Sequence, residues 1–185
     1  MKSLVLLSGG IDSAACVAFY LKLGHPVEGL FIDYGQPVHA AEKASAKKVA
    51  RHYSIPVEGV VCQGPKVAFC GEVLARNAFL VMAAMLYKPQ WTGLIALGVH
   101  AGTSYYDCSG EFVADISRIM DRYADGRIVL GAPFLHWTKA MVWEFCLQND
   151  VPVDITWSCE VGPAKPCGTC LSCRDLEAVH ARSTK

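Results

Sequence analysis

Five short, apolar, β-rich runs alternate along the chain with segments of helical character. The runs are Ser3–Leu7, Glu28–Ile32, Val57–Cys62, Leu94–Gly98 and Arg127–Leu130. Runs that are largely apolar, rather than strictly alternating with polar residues, are typical of parallel strands covered on both faces by helices. The alternation therefore predicts an α/β fold built on a doubly wound, mostly parallel sheet.

The segments between and after these runs predict five helices. The first is apolar nearly all round and is expected to be buried, whereas the second places its lysines opposite an apolar face. The five are Ile11–Leu23, Ala40–Tyr53, Arg76–Tyr87, Gly110–Tyr123 and a segment that Thr138 caps and that reaches about Asn149.

The composition is that of a compact enzyme with one buried core. Of 185 residues, 52% are hydrophobic and 18% are charged, which excludes a disordered chain. Seventeen basic residues balance seventeen acidic ones, so no overall positive field attracts nucleic acid or an anionic membrane. The N-terminal apolar run is too short for a signal peptide, and no stretch has the length needed to cross a bilayer. The sequence therefore predicts a cytoplasmic protein.

A loop rich in small polar residues separates the first run from the first helix. Ligands of doubly wound sheets bind beyond the carboxyl ends of the strands, where Gly9 and Gly10 allow a tight turn and the helix N-terminus attracts an anion. Ser8 and Ser13 add hydroxyl donors, and Asp12 caps the helix, holds a metal or orients donors. The alternative is an ordinary strand–turn–helix joint with Asp12 as its cap.

Four of the nine cysteines crowd into one short stretch, at Cys159, Cys167, Cys170 and Cys173. Four thiolates suit a structural zinc ion with no open position, and an iron–sulfur cluster is the chemical alternative. Strand and helix patterns stop after Trp157. We therefore expect an α/β domain over residues 1–157 and a zinc-binding segment over 158–185, packed on the same domain.

Several motifs spread over the chain together resemble one enzyme family. They are LSGGIDS at Leu7–Ser13, IDYGQ followed by His39 and Glu42, ARNAF at Ala75–Phe79, YDC with EF shortly after it (Asp107–Phe112), Pro133 with Lys139, and TWSC…PCGTCLSCR at Thr156–Arg174. The chain resembles the 7-cyano-7-deazaguanine synthase family of the ATP pyrophosphatase superfamily, and the cysteine-rich motif is the most diagnostic.

The resemblance implies a reaction and its reactants. Family members use ATP to adenylate the carboxylate of 7-carboxy-7-deazaguanine, and ammonia then displaces AMP to leave an amide. A second ATP activates the amide oxygen, and loss of AMP gives the nitrile. The implied cofactors are ATP, Mg²⁺ and Zn²⁺, and the implied assembly is a homodimer.

The resemblance also implies roles for individual residues. Ser8, Gly9, Gly10, Asp12 and Ser13 would hold the ATP phosphates, and Asp12 and Lys139 would be catalytic, Lys139 by stabilising phosphate charge as the bond breaks. Asp33, Gln36, Arg76 and Asn77 would contact the nucleotide. Asp107, Glu111 and His39 would contact the substrate. Asp107 and Glu111 are equally suited to capping helices, and Asp33 to capping a strand end.

The chain departs from the family where the acceptor is expected to bind. The segment between Cys62 and Arg76 is short, and Pro37-Val38 precedes His39 where the family has one basic residue. Three alternatives therefore stay open: a ligase that passes a deazapurine acid to another amine or to a protein, a tRNA sulfur-transfer enzyme that uses Cys108 or Cys70, and a non-catalytic zinc-bound adaptor.

Overall fold

A computed structural model of the protein describes residues 1–62, 71–162 and 164–183. The strands are β1 (Ser3–Leu6), β2 (Val27–Asp33), β3 (Val57–Val61), β4 (Gly93–Ala96) and β5 (Ile128–Gly131). The α-helices are α1 (Ile11–Lys22), α2 (His39–His52), α3 (Arg76–Tyr87), α4 (Gly110–Ala124), α5 (Lys139–Gln148) and α6 (Leu171–Ser183). Short 3₁₀ turns lie at Tyr106–Cys108 and Val153–Ile155.

The five strands form one parallel sheet in the order β3-β2-β1-β4-β5. The chain runs outward from β1 to β3 on one side, then crosses back to place β4 on the other side of β1. This change of direction creates a switch point between β1 and β4, and ligands of such sheets bind at the carboxyl ends of the strands there. The predicted doubly wound α/β fold is confirmed.

Alternate residues of β1 feed two separate apolar cores. Leu4 and Leu6 face the side on which α3 and α4 lie, and Val5 faces the side on which α1, α2 and α5 lie. Leu4 and Val5 are both fully buried, as the period of two along a strand requires when helices cover both faces. This explains why the run has no polar position from Leu4 onward.

The predicted elements are confirmed with their ends moved by one or two residues, and α3 has the bounds predicted for it. Thr138 caps α5 as expected, because its hydroxyl accepts a hydrogen bond from the Met141 amide at 3.3 Å. The expectation that pattern is lost throughout the cysteine-rich segment is wrong at its end, where α6 begins at Leu171. Val179 of this helix is buried in the core that Val5 belongs to.

In the described ranges, no helix has the length and apolar character needed to span a membrane.

Candidate active site

A cavity of about 280 Å³ lies at the switch point, beyond the carboxyl ends of β1 and β4. Its wall combines the start of α1, the end of β2, the start of α3, the loop after β4, the start of α5 and part of the segment after Trp157. Eight predicted site residues line it: Ser8, Gly10, Asp12, Ser13, Gln36, Arg76, Asn77 and Lys139. Thus, the fold brings together residues from distant parts of the sequence.

The two glycines of the loop have different structural roles. Gly9 has φ +89°, and a Cβ there would lie 2.5 Å from the Glu42 carbonyl oxygen and 2.7 Å from the Ala46 amide of α2. Gly10 has an ordinary extended conformation, with φ −79°. Gly9 therefore lets the turn pack against α2 and, unlike Gly10, is absent from the cavity wall.

The serine hydroxyls order the loop around the N-terminus of α1. Ser13 donates to the Gly10 carbonyl at 2.8 Å and accepts from the Gly9 amide at 3.2 Å. Ser8 accepts from the Gly10 amide at 3.3 Å. Gly10 is the N-cap of α1, and no side chain caps the helix there. The positive end of the helix therefore faces the cavity without a side-chain acceptor, which is the arrangement that binds anions.

Asp12 pairs with Lys139 and does not cap α1. Both carboxylate oxygens of Asp12 lie 2.7 Å from the Lys139 Nζ. Gly98 after β4 lets the backbone of Asp12 pack closely against the strand end, because a Cβ there would lie 2.8 Å from the Asp12 carbonyl carbon. Lys139 is the first residue of α5, directly after its Thr138 cap. A cation is thus held at the edge of the cavity, with its charge compensated by Asp12.

Asp33 and His39 pair with each other outside the cavity wall. The His39 Nδ1 lies 2.9 Å from the Asp33 carboxylate, which also accepts from the Gly35 amide at 3.1 Å. The structure therefore does not bring these two predicted site residues to the cavity. Their contact instead closes the turn between β2 and α2. This agrees with the alternative that Asp33 caps the end of a strand.

Gln36 reaches the cavity and also holds the same turn. Its amide donates to the Ile32 carbonyl at 3.3 Å and to the Glu42 carboxylate at 2.8 Å, and it accepts from the Tyr34 amide at 2.9 Å. Glu42 lines the cavity as well. Burial raises the pKa of the Glu42 carboxyl, and this effect exceeds the opposing effects of the Gln36 amide and the Arg76 charge.

Asp107 and Glu111 do not line the cavity. Asp107 is buried and caps α3: its carboxylate accepts from the Asn77 amide at 3.2 Å, and its carbonyl accepts from the Asn77 side chain at 2.9 Å. Glu111 is exposed on the first turn of α4, which Ser109 caps. The structure therefore does not bring these two predicted substrate contacts to the cavity wall. Asp107 instead has the alternative helix-capping role, because the N-terminus of α3 has no cap from its own N-cap residue and lies within reach of Asp107.

The segment that begins at Trp157 forms one wall of the cavity. Its lining residues are Trp157, Ser158, Glu160, Leu171, Ser172, Asp175 and Leu176. The Trp157 amide donates to the Gly9 carbonyl at 2.9 Å. Glu160 accepts from the Ser172 hydroxyl at 2.6 Å and from the Gly71 amide at 2.9 Å. Sequence reasoning missed Glu160 and Asp175; the proximity of Glu160 to Cys159 was the available signal.

The four clustered cysteines converge on one point. Their Sγ atoms all lie within 4.8 Å of one another, and those of Cys167 and Cys173 are 4.0 Å apart. Zinc–sulfur bonds of about 2.3 Å in a tetrahedron place the sulfurs about 3.8 Å apart. The cluster therefore fits a single tetrahedral ion such as zinc, whereas a multi-iron cluster would need more room between its sulfurs.

Backbone amides favour the thiolate at Cys159 and Cys167, whereas burial raises the pKa of Cys173 to about 12. Cys159 is buried, which raises its pKa, but amides of Val161, Gly162 and Cys167 donate to its sulfur and bring the net pKa below the usual value. The Thr169 hydroxyl and nearby amides lower the pKa of Cys167 to about 6. Ionised thiols are the form that binds metal.

The structure does not favour Cys108, the described one of the two sulfur-transfer candidates, as a nucleophile. Cys108 lines the cavity, but burial raises its pKa, and a thiol with a raised pKa is a poor nucleophile. Cys70, the other candidate, lies outside the described residues.

Two solved structures share the fold at low sequence identity. NMN synthetase from Francisella tularensis aligns with a TM-score of 0.59 at 18% identity, covering 98% of this chain and 84% of that one. A 4-thiouridine synthetase–RNA complex with bound ATP aligns with a TM-score of 0.53 at 16% identity, covering 98% of this chain and 50% of that one. Fold and site together define a doubly wound α/β protein with a cavity at its switch point and a four-cysteine cluster that could hold a metal ion.

Sequence comparison places the chain in one family of proteins. The model of the queuosine biosynthesis protein QueC matches residues 2–65 and 71–181, and the chain belongs to this family. Its relatives include the 7-cyano-7-deazaguanine synthases of Prochlorococcus marinus (strain NATL2A), 31% identical over 93% of this chain and 89% of that protein, and of Synechococcus sp. (strain RCC307), 32% identical over 95% and 92%.

Proposed function

We propose that this protein is an ATP-dependent carbon–nitrogen ligase that converts 7-carboxy-7-deazaguanine and ammonia into 7-cyano-7-deazaguanine. The names of its relatives support the product. The observation that carries the chemistry is the Asp12–Lys139 pair beside the uncapped N-terminus of α1. A helix N-terminus and a lysine together suit the phosphates of ATP.

The ATP half of the reaction needs charge to be neutralised as pyrophosphate leaves. The substrate carboxylate attacks the α-phosphorus, the bond to the β-phosphate oxygen breaks, and an acyl adenylate forms. Lys139 would move from Asp12 towards the departing phosphates, and the first turn of α1 would bind them through its amides. Mg²⁺ would enter with ATP as its counter-ion and lower the charge of the pyrophosphate.

The acceptor half uses nitrogen as the nucleophile. Ammonia adds to the acyl carbon, AMP leaves with the carboxylate oxygen, and loss of a proton gives the amide. A second ATP then adenylates the amide oxygen, and departure of AMP with the last N–H proton gives the nitrile. Both activation steps are the same phosphoryl chemistry, so one phosphate site serves both.

Glu160 is our candidate for recognising the deazaguanine ring by hydrogen bonds. A deazaguanine presents N–H donors on one edge, and carboxylate oxygens are their natural acceptors. Each oxygen of Glu160 accepts one hydrogen bond, from Gly71 or Ser172, which leaves each a further lone pair for the substrate. Asp107 and Glu111, which the sequence favoured for this role, lie outside the wall.

The cysteine cluster is proposed to hold a structural zinc ion. Cys159 precedes Glu160, and Cys170 and Cys173 flank Ser172, so a bound ion would fix the Glu160–Ser172 contact at the cavity. Four sulfur ligands leave no position for a reacting water, and the proposed chemistry requires none.

We further propose a cytoplasmic homodimer. Leu74 is 92% exposed just before α3, and Leu86 at its end is 76% exposed. Light scattering coupled to size-exclusion chromatography tests the assembly: a monomer at working concentration would contradict it.

Incubation with ATP, 7-carboxy-7-deazaguanine and ammonium tests the assignment. AMP and pyrophosphate are expected only when the acid is present. An amide end product, or a conjugate with another amine, would favour the related ligase instead of the nitrile-forming enzyme. Failure to form AMP with this acid, whatever the acceptor, would refute the substrate.

A further inference from the structure

The ring of His100 is held in one tautomer by the loop that carries it. His100 follows β4, is 9% exposed and lines the cavity. The Gly102 amide donates to its Nδ1 at 2.9 Å. Because a backbone amide is only a donor, Nδ1 must be the acceptor, and the neutral ring carries its hydrogen on Nε2.

The loop makes room for the ring in this orientation and is itself tied down. A Cβ at Gly102 would lie 2.7 Å from both Nδ1 and Cε1 of His100, so a larger residue would displace the ring. The Ala101 amide donates to the Trp137 carbonyl at 2.9 Å, which ties the loop to the chain just before α5. The His100 ring is therefore fixed relative to Lys139.

The protonated side of the ring faces Asp12. The His100 Nε2 lies 3.9 Å from an Asp12 carboxylate oxygen, which is too far for a hydrogen bond, while Lys139 holds both oxygens at 2.7 Å. If Lys139 moves to the phosphates, Asp12 loses the partner of both oxygens. A shift of about 1 Å would then bring Asp12 and His100 within hydrogen-bond distance.

We propose that His100 is a positioning residue: its Nε2–H, fixed by the Gly102 amide, takes over the Asp12 carboxylate when Lys139 turns to the phosphates. The exchange keeps Asp12 in place during adenylation and returns Lys139 to it afterwards. This role in the reaction rests on the function proposed above, whereas the tautomer follows from the fold alone.

The charged groups around the ring agree with a neutral donor. Asp12 of α1, Lys139 of α5 and Asp175 of α6 face His100. Burial lowers its pKa and Lys139 acts in the same direction, against the two carboxylates, and the net shift is downward. The ring is therefore neutral at pH 7, and its donor serves without a protonation step.

The tautomer can be read directly by NMR of the intact protein labelled with ¹⁵N-histidine. At pH 7 the expected spectrum assigns His100 a protonated Nε2 and an unprotonated Nδ1, with His100→Gln used to identify the signal. A protonated Nδ1, alone or in a charged ring, would overturn the proposal. This measurement needs no substrate, so it is independent of whether the proposed reaction is correct.

Kinetics test the role. His100→Leu removes the donor and should lower kcat for pyrophosphate release about tenfold or more, with little change in KM for ATP. His100→Gln keeps an N–H donor and should recover most of the rate, and His136→Leu, at an exposed histidine outside the cavity wall, should match the native protein. Full activity of His100→Leu, or no recovery in His100→Gln, would refute the role.

Discussion

Asp12 and Lys139 lie 127 residues apart in the chain, and both carboxylate oxygens of Asp12 are 2.7 Å from the Lys139 ammonium. Each side chain sits in the first turn of its helix, α1 or α5. A lysine in a first turn is unfavourable for the helix dipole, so its position there is better explained by the anion site than by the stability of α5.

Replacement of Lys139 by Met should lower kcat/KM for pyrophosphate release by about 10²–10³, the cost of losing one preorganised donor to developing charge. Steady-state pyrophosphate release measures this. Lys22→Met is the matched control, since Lys22 is an exposed partner of Asn149 at the other end of α1. Rates within twofold of native for Lys139→Met would remove Lys139 from the mechanism.

Replacement of Glu160 by Gln should raise KM for the deazapurine acid about tenfold, because Gln presents an N–H where the substrate also donates. Binding of ATP measured by calorimetry should be unchanged. Glu111→Gln serves as the control and should behave as native, since Glu111 is exposed outside the cavity wall. If Glu111→Gln raises KM and Glu160→Gln does not, the acceptor site has been misplaced.

Gly9 should be the more demanding glycine for stability. Gly9→Ala adds a Cβ 2.5 Å from the Glu42 carbonyl at a residue with φ +89°, so we expect it to lose more than about 2 kcal/mol of the free energy of unfolding. Gly24→Ala is the control, because Gly24 has φ +75° and an open surrounding, and should lose only about 1 kcal/mol. Urea denaturation measures both, and equal losses would argue against packing on α2.

For the four-cysteine cluster, we expect elemental analysis to find one zinc ion per chain and little iron. Cys170→Ser should lose the metal and lower the urea midpoint, since a bound ion would join Cys159 to the start of α6. Cys62→Ser changes a partly buried cysteine outside the cluster and should keep the metal. Full zinc retention in Cys170→Ser would show that the cluster does not hold it.

Glu42 should make the protein less stable as pH rises. Burial raises its pKa in the folded state, so the folded state retains a proton that the unfolded state has released. Stability is therefore lost as pH rises above the ordinary carboxyl value of about 4.5 and through the folded pKa. Glu42→Gln should remove this loss, and its advantage over the native protein in urea should be larger at pH 7.5 than at pH 5. An advantage that grows on acidification would give the shift the opposite sign.

The sequence predicted the sheet and most helices because their signals are local. The helix α3 runs from Arg76 to Tyr87 as predicted. The cysteine spacing alone was enough to predict that four sulfurs lie close together. The side chain of Asp107 was not predictable in this way. Its direction depends on the amide of Asn77, thirty residues earlier, and a carboxylate near a sheet edge serves a helix or a ligand equally well.

The wall formed after Trp157 was also beyond sequence reasoning. Helix α6 begins between two cysteines of the metal cluster, so its start reflects the geometry of the cluster as well as helix propensity. Glu160 enters the cavity because Ser172 and Gly71 orient it, and these contacts join segments that no short motif links.

We propose that one site activates the carboxylate of 7-carboxy-7-deazaguanine and joins it to ammonia. The most direct test is mass spectrometry of the product formed with ¹⁵N-ammonium, together with a count of AMP released. We expect 7-cyano-7-deazaguanine carrying one ¹⁵N, with two AMP formed for each nitrile. AMP release without ¹⁵N in the heterocycle, or no AMP with this acid, would contradict it.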